Sequence, residues 1–193
     1  MLGLQMPTDP RWAELVQGNI AEILTDHAWC EQKAATNAIS IIVKNPGKTD
    51  LVNELTIIAQ EEIEHFQMVH QKIQERGFTL GAERKDEYVR DLSRFIKQGG
   101  TPQEQLVANL LFSAMIEARS CERFRMLSER LEDEDLCEFY RELMISEANH
   151  YTVFLGFARK YGGREKTDVL WNEFLEYEAG LMEKYGKKET MHG

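Results

Sequence analysis

A chain of 193 residues, 42% hydrophobic and 29% charged, has the composition of an ordinary globular protein and is long enough for one sizeable core. Its net charge of −10 argues against an evenly basic nucleic-acid-binding protein, and no stretch approaches the roughly 18 apolar residues of a membrane span. No secretion signal is visible at residues 1–10, and three widely spaced cysteines predict free thiols in a reducing cytoplasm. We therefore expect one domain, residues 1–193, of a cytoplasmic protein.

Helix start and stop signals divide the chain into short and long helices. Thr8-Asp9-Pro10 predicts the start of a short helix that ends near Gln17. The long helices predicted by apolar periodicity cover about 19–44, 50–76, 101–131 and 134–161. The third of them opens with the capping box Thr101-Pro-Gln-Glu104, and a small amphipathic piece (87–97) precedes it. A last helix is expected over about 167–185, and no segment alternates like a strand, so the fold class is all-α.

The lengths of the connections predict the topology of the four long helices. Short turns join the first to the second and the third to the fourth, which makes two antiparallel hairpins. A connector of about two dozen residues, 77–100, joins the second to the third. Such a connector is the single crossover of ferritin-like bundles. The sequence therefore predicts a ferritin-like four-helix bundle with one long crossover and an extra C-terminal helix.

Each long helix carries a carboxylate in the middle of its apolar face, and two of them add a histidine one turn later. The six residues are Glu31, Glu62, His65, Glu117, Glu147 and His150. Buried carboxylates are costly without a compensating positive charge, which two divalent cations would supply. The Glu-x-x-His motif occurs twice, and a core glutamate precedes each copy by 31 and 30 residues, the pattern of di-iron carboxylate proteins.

These six side chains predict a two-metal site in which Glu62 and Glu147 bridge the ions. Glu31 and His65 would complete the ligand set of one ion, and Glu117 and His150 would complete that of the other. Carboxylates and imidazoles suit iron, or less well manganese, better than zinc or copper. Two ferrous ions can together pass two electrons to dioxygen. Glu122 is a rival to Glu117, but it turns off the apolar stripe and breaks the 30-residue spacing.

Four sequence blocks resemble the tRNA 2-methylthio-N6-isopentenyladenosine hydroxylases, the MiaE family. The blocks are Leu24-Thr-Asp-His-Ala-Trp-Cys-Glu31, Glu61-Glu-Ile-Glu-His-Phe66, Ile116-Glu-Ala-Arg-Ser-Cys-Glu-Arg-Phe124 and Ser146-Glu-Ala-Asn-His-Tyr151. The resemblance places the family's metal ligands on the same six residues. It implies oxygen-dependent hydroxylation of the isopentenyl group on the adenosine next to the anticodon of tRNA, with iron as cofactor and an external electron-donor protein. Longer members carry an insertion where this chain has only residues 45–49.

Other functions could use the same ligands. A ferritin-like ferroxidase would need a cage, whereas the hydroxylase is expected to be a monomer or small oligomer. A rubrerythrin-like peroxidase usually adds paired Cys-x-x-Cys motifs, which are absent here, and a manganese catalase is a further alternative. Ferritins commonly lack the second histidine, so His150 favours an oxygenase-type site.

Several smaller features have two interpretations. His27 could line the oxygen or substrate pocket or be a hydrogen-bonded core histidine, and the thiols of Cys30 and Cys121 could be redox groups or core packing. Arg119 and Arg123 could bind phosphate or neutralise nearby glutamates. Two basic stretches could bind tRNA, and the crossover is the first candidate. Its cations are Arg84, Lys85, Arg90, Arg94 and Lys97, and those of the second stretch are Arg159, Lys160, Arg164 and Lys166.

Overall fold

The computed structural model describes residues 2–96, 99–185 and 190–192, and every regular element in these ranges is helical. Lys97 of the basic crossover lies outside the described residues. The helices are α1 (Arg11–Gln17), α2 (Ile20–Lys44), α3 (Thr49–Glu75), α4 (Glu87–Leu92), α5 (Pro102–Arg130), α6 (Glu134–Gly162) and α7 (Arg164–Lys184), with a 3₁₀ turn at Ser93–Phe95. Within the described ranges, no helix has the length and apolar character needed to cross a membrane.

Contacts divide the described chain into two compact units. The smaller unit contains residues 18–85 together with 190–191, and its helices are α2 and α3. The larger unit contains residues 2–17, 86–96, 99–185 and 192, with α1 and α4 to α7. The long crossover therefore contributes its first part to the smaller unit and its second part to the larger one.

The smaller unit is an antiparallel hairpin of α2 and α3. The join of residues 45–48 is short, and the amide of Asn45 closes α2 by donating to Ile42 O at 2.9 Å. Gly77, with φ +70°, ends α3 in the left-handed conformation that favours glycine. The chain then returns along α2, where Gly81 O accepts a hydrogen bond from Trp29 Nε1 at 2.9 Å. A Cβ at Gly81 would lie 3.1 Å from the Thr25 methyl group, so this close approach favours glycine.

Local capping sets the ends of the helices in the larger unit. Thr101 Oγ1 accepts from the amide of Glu104 at 3.2 Å, and the Glu104 carboxylate accepts from the amide of Thr101 at 2.7 Å. This is the predicted capping box. Asp133 caps α6 by accepting from the amide of Leu136 at 3.1 Å. Gly163, with φ +78°, separates α6 from α7, which begins three residues before the predicted start.

Candidate metal centre

In the smaller unit, Glu31 of α2 and the Glu62–His65 pair of α3 form one buried cluster. Their side chains are almost completely excluded from solvent, and their ligand atoms lie within 4.8 Å of one another. His65 Nδ1 is 3.6 Å from Glu62 Oε2 and 3.9 Å from Glu31 Oε2. Nitrogen and oxygen donors at such separations can bind one ion, because metal–ligand bonds are about 2.0–2.2 Å long.

Helix periodicity explains how the sequence brings these three residues together. Residues three apart on a helix lie on the same face, so Glu62 and His65 point the same way from α3. Leu55, Ile58 and Val69 share that buried face. Their burial in the core draws the two polar side chains inward with them. The hydrophobic stripe thus positions groups that would otherwise remain in water.

Two further polar residues, His27 and Asp26, are buried in the preceding turn of α2, and His27 contacts Glu31. His27 is fully buried, and its Nε2 shares a hydrogen bond with Glu31 Oε1. Asp26 is also buried, and its carboxylate accepts a hydrogen bond from the amide of Met191 at 2.7 Å. A hydrogen bond to a candidate ligand fixes the direction of its second oxygen. In this structure His27 is a fully buried histidine with a hydrogen bond to Glu31.

The larger unit contains the second cluster, made by Glu117 of α5 and the Glu147–His150 pair of α6. All three residues are 2–3% exposed, and their ligand atoms lie within 4.8 Å of one another. Ser146 Oγ lies 3.4 Å from His150 Nε2. Each hairpin thus presents one glutamate from its first helix and one Glu-x-x-His motif from its second. The pseudo-repeat in the sequence is therefore also a repeat of structure.

Glu122, the rival of Glu117, is committed to other partners. Its carboxylate accepts hydrogen bonds from the backbone amide of Thr8 at 3.1 Å, from the Thr8 hydroxyl, and from Arg119 Nη1 at 3.0 Å. Arg119 Nε and Nη2 donate to Glu178 Oε1 of α7 at 3.0 and 2.7 Å. The Tyr88 hydroxyl donates to the same oxygen at 2.9 Å. Arg119 is fully buried, so it neutralises two glutamates and is not exposed to a phosphate.

Arg123 has a different environment one turn further along α5. It is fully buried, and its guanidinium carbon lies 4.0 Å above the ring of Trp12. Its Nη2 donates to His192 O at 3.5 Å, whereas Nε and Nη1 have no hydrogen-bond partner among the described residues. Burial, and next the positive charge of Arg119, lower the pKa of Arg123 to about 9. Sequence reasoning missed this contact, because Trp12 is more than one hundred residues away and has no local signal.

Two of the three cysteines, Cys121 and Cys137, donate hydrogen bonds to backbone carbonyl groups. Cys121 is buried, and its thiol donates to Met144 O at 3.4 Å. Burial raises the pKa of the Cys121 thiol to about 12, which keeps it in the unreactive protonated form near neutral pH. Cys137 donates to Leu131 O at 3.2 Å, and Cys30 is half-buried.

A separate, mainly apolar cavity of about 630 Å³ lies in the larger unit beside the 3₁₀ turn. Phe95 and Phe174, whose rings stack with centroids 4.3 Å apart, form part of its wall together with Tyr177 and Leu111. None of the six candidate ligands lines this cavity. It is therefore not part of the candidate metal centre.

A family model described as tRNA-(MS[2]IO[6]A)-hydroxylase (MiaE) matches residues 2–193. The chain belongs to the MiaE family. A curated relative from Pseudomonas putida, named tRNA 2-(methylsulfanyl)-N(6)-isopentenyladenosine(37) hydroxylase, is 38% identical over 159 residues, which cover 82% of this chain and 76% of the relative. A relative of the same name from Salmonella typhimurium is 27% identical over 230 residues, covering 93% of this chain and 83% of the relative. Membership identifies the protein as an enzyme, a tRNA hydroxylase, as the sequence predicted.

A solved structure from Synechococcus, titled as protein 43 with aldehyde deformylating oxygenase activity, superposes with a TM-score of 0.87. It is 32% identical in sequence, and the match covers 98% of this chain and 95% of that one. The predicted fold class, an all-α ferritin-like four-helix bundle, is confirmed. For this member of the MiaE family, the ferritin-like fold and the buried Glu and His clusters indicate a di-metal site.

Proposed function

We propose that the protein is a di-iron monooxygenase that hydroxylates the isopentenyl group of 2-methylthio-N6-isopentenyladenosine next to the anticodon of tRNA. One oxygen atom of dioxygen enters a C–H bond of that group, and the other leaves as water with two electrons and two protons from an external donor protein. The observation that carries the proposal is the location of both buried Glu and His clusters within the family-specific sequence blocks of a chain that the family model matches almost from end to end.

The donor set fits two divalent ions. We propose Glu31, Glu62, His65, Glu117, Glu147 and His150 as their ligands. Four carboxylates carry four negative charges, which two divalent cations neutralise, and this balance matters because every one of these side chains is buried. Oxygen-rich donors with two imidazoles suit iron, and manganese less well. When bound, two ferrous ions would supply the electrons for the first reduction of dioxygen.

The imidazoles have an assignable orientation. Ser146 Oγ contacts His150 Nε2, and a metal-binding histidine commonly donates its other ring N–H to an oxygen acceptor. We therefore assign Nε2 of His150 to Ser146 and Nδ1 to the metal. His65 supports the same choice, because its Nδ1 is the atom measured at 3.6 and 3.9 Å from the carboxylates of Glu62 and Glu31.

Burial prepares these residues for oxidation chemistry. Residues that are at most 7% exposed keep bulk water away from the reacting atoms, which protects a reactive oxidant from being quenched. His27 holds Glu31 in one orientation, so that part of the donor set is already organised in the protein. We further propose a single ferritin-like domain that works in the cytoplasm as a monomer or small oligomer, since a large RNA must reach the site.

Metal analysis followed by an activity assay tests the proposal. Protein purified from iron-replete cells should contain close to two irons per chain. Under reducing, aerobic conditions it should add one oxygen atom to the isopentenylated adenosine of tRNA, measured by mass spectrometry of the released nucleosides. The oxygen should come from isotopically labelled dioxygen and not from water. Iron-loaded protein that leaves this tRNA unchanged would refute the substrate assignment.

The Synechococcus structure motivates one control substrate. Its title names aldehyde deformylating oxygenase activity, so a long-chain aldehyde should be tested under the same conditions. We expect the tRNA to be hydroxylated and the aldehyde to be left intact. Formation of formate from the aldehyde, with tRNA unchanged, would transfer the assignment to aldehyde chemistry on the same ligands. Rapid iron oxidation with mineral formation, and no reaction with either substrate, would indicate a ferroxidase.

A further inference from the structure

The end of α6 carries two aromatic rings that are partly open to solvent. Phe157 and Tyr161 are half-buried, and their rings lie nearly parallel, at 10°, with centroids 6.0 Å apart. The exposed Lys160 places its Nζ 5.9 Å from both ring centroids. Aromatic faces combined with cations are the surface on which single-stranded nucleic acids stack their bases.

Positive charge is concentrated around these rings. Residues 157–168, which we name the α6–α7 corner, contain four cations and two carboxylates in a chain whose net charge is −10. Arg159 Nε pairs with Asp168 Oδ1 at 2.6 Å, and the other carboxylate is the exposed Glu165. The side chain of Arg164 is 78% exposed, and its Nε lies 3.9 Å from Asp168 Oδ2. The corner is therefore a local positive patch on an acidic protein.

Helix stability accounts for only two of these four cations. Arg159 and Lys160 lie in the last turn of α6, where cations interact favourably with the helix dipole. Arg164 and Lys166 lie at the start of α7, where the dipole is positive and cations are unfavourable. A net positive start of a helix destabilises the helix slightly. A bound anion at this position would offset the unfavourable charge.

The corner also lies on the helix face that carries the α6 metal ligands. His150, Phe154, Phe157 and Tyr161 follow one another at spacings of four, three and four residues, which places them on one stripe. At 1.5 Å per residue, Phe157 is about 10 Å and Tyr161 about 16 Å along α6 from His150. Neighbouring nucleotides of one loop can span such a distance. A base that stacks on the rings can thus belong to the same loop as a nucleotide that reaches the metal ligands.

We propose that the α6–α7 corner binds the single-stranded anticodon loop of the tRNA substrate, with bases stacked on Phe157 and Tyr161 and phosphates paired with Lys160, Arg164 and Lys166. This inference rests on the proposed function. It names the surface that holds the nucleotides beside the modified adenosine. In a single-stranded RNA loop the faces of the bases are accessible to aromatic side chains, and each nucleotide also carries a backbone phosphate.

The basic crossover is less suited to this role, because three of its cations, Arg84, Arg90 and Arg94, are already paired with carboxylates. Arg94 Nη1 and Lys184 Nζ each lie 3.0 Å from the Asp91 carboxylate, and Arg90 Nε lies 3.3 Å from it. Hydrogen bonds, first from Tyr185 and then from Lys184, keep the pKa of Asp91 well below its usual range. Within the smaller unit, Arg84 pairs with Glu22 at 3.2 Å. The charges of these three arginines are thus neutralised within the protein.

Three sets of variants test the docking surface. The first is the corner triple Lys160→Gln, Arg164→Gln, Lys166→Gln. Its matched control is Arg125→Gln, Arg130→Gln, Arg141→Gln, which removes the same charge from exposed positions on α5 and α6. Within α6, Arg141 is about 28 Å along the helix from Lys160. The second set compares Phe157→Leu, Tyr161→Leu with the ring-preserving pair Phe157→Tyr, Tyr161→Phe. The third is the crossover double Arg90→Gln, Arg94→Gln.

The measurement is the affinity for an isopentenylated anticodon stem-loop at several salt concentrations, with iron content and thermal melting as controls of folding. The corner triple should weaken binding at least tenfold and reduce the slope of log affinity against log salt by about 2, since each lost single-strand phosphate contact contributes about 0.7. The leucine pair should weaken binding about fivefold or more without changing that slope. The ring-preserving pair, the control triple and the crossover double should bind like the parent. KM should rise in the corner variants, whereas kcat at saturating RNA should not fall.

Every other outcome of these measurements has a definite interpretation. The docking surface is wrong if the corner variants bind like the parent. It is also wrong if the control triple or the crossover double loses as much affinity as the corner triple. In either case the hydroxylase proposal survives. If the parent binds the RNA through the corner and leaves it unmodified when loaded with iron, the proposed function is wrong and the binding surface survives. A parent that binds no tRNA overturns both.

Discussion

Arg119 and Arg123 lie one turn apart on α5 and are both fully buried, yet replacement by methionine should affect stability very differently. Methionine has a similar length and no charge. Arg119→Met would remove the hydrogen bonds to Glu178, Glu122 and Met6 O and leave two buried carboxylates without their cation. Arg123→Met would remove a stacked contact with Trp12 and a long hydrogen bond to His192 O, and would leave no carboxylate behind.

The magnitudes follow from these environments. Breaking a buried ion pair by removing one partner costs about 3–5 kcal/mol, because the remaining charge is uncompensated. For a chain of this size that corresponds to a fall in Tm of roughly 10 °C. The cation–π contact of Arg123 contributes about 0.5–2 kcal/mol, but the buried guanidinium also costs desolvation energy that an apolar side chain avoids. We expect Arg123→Met to change the free energy of unfolding by about 1 kcal/mol or less, in either direction.

Chemical denaturation of the metal-free proteins measures both values without the contribution of bound metal. The positive charges of the two arginines repel each other, so removal of either one relieves this repulsion. The double variant adds a test, because it measures the coupling between the two side chains. A loss of stability in Arg123→Met as large as that in Arg119→Met would contradict the reasoning. It would mean that the stack on Trp12, and not the pairing with carboxylates, stabilises this part of the larger unit.

Three further predictions concern the metal, the assembly and a helix cap. Glu62→Ala or Glu147→Ala should remove most of the iron, because the spacing predicts both as bridging ligands. As a control, replacement of the exposed Glu64 by alanine should leave the iron content unchanged. Full iron content in the Glu62 or Glu147 variant would show that the wrong carboxylates were chosen. Light scattering should give a monomer or small oligomer, and a hollow cage of many chains would favour a ferritin. Thr101→Ala should lower the free energy of unfolding by about 1 kcal/mol in denaturation experiments. Hydrogen bonds from the Thr101 amide and hydroxyl lower the pKa of Glu104. The stability that the ionised form of Glu104 provides at neutral pH should therefore be lost as the pH falls below the usual glutamate range. The variant Glu104→Gln should remove this pH dependence.

Helix ends could be predicted from the sequence because their signals are local. The capping box at Thr101 and the left-handed Gly77 are both present where the sequence indicated them. The start of α7 was wrong by three residues, because Gly163 ends α6 and the next helix begins at once at Arg164. The amphipathic piece at 87–97 is helical only to Leu92 and then tightens into a 3₁₀ turn.

The candidate ligands could be chosen because a carboxylate on an apolar stripe is a visible conflict between charge and burial. All six are buried, and each hairpin brings three of them together. The sequence does not, however, reveal which arginine neutralises which glutamate. Arg119 meets Glu178 across 59 residues, and only the packing of α7 against α5 decides that pairing. Nor could the exposure of Phe157 be predicted, since its spacing on α6 is that of a core residue.

The contacts of Arg119 also constrain the order in which the chain can fold. Apart from the pair with Glu122 on the same helix, they join residues separated by 59, 111 and 113 positions, so these contacts form no local nucleus. The α5–α6 hairpin can pair as soon as it leaves the ribosome, but its buried arginine has no access to Glu178 until α7 has been synthesised. During translation, the N-terminal segment around Thr8 must likewise wait for α5. The larger unit therefore reaches its final packing only after α7 has been made, and until then the Arg119 guanidinium lacks its Glu178 partner.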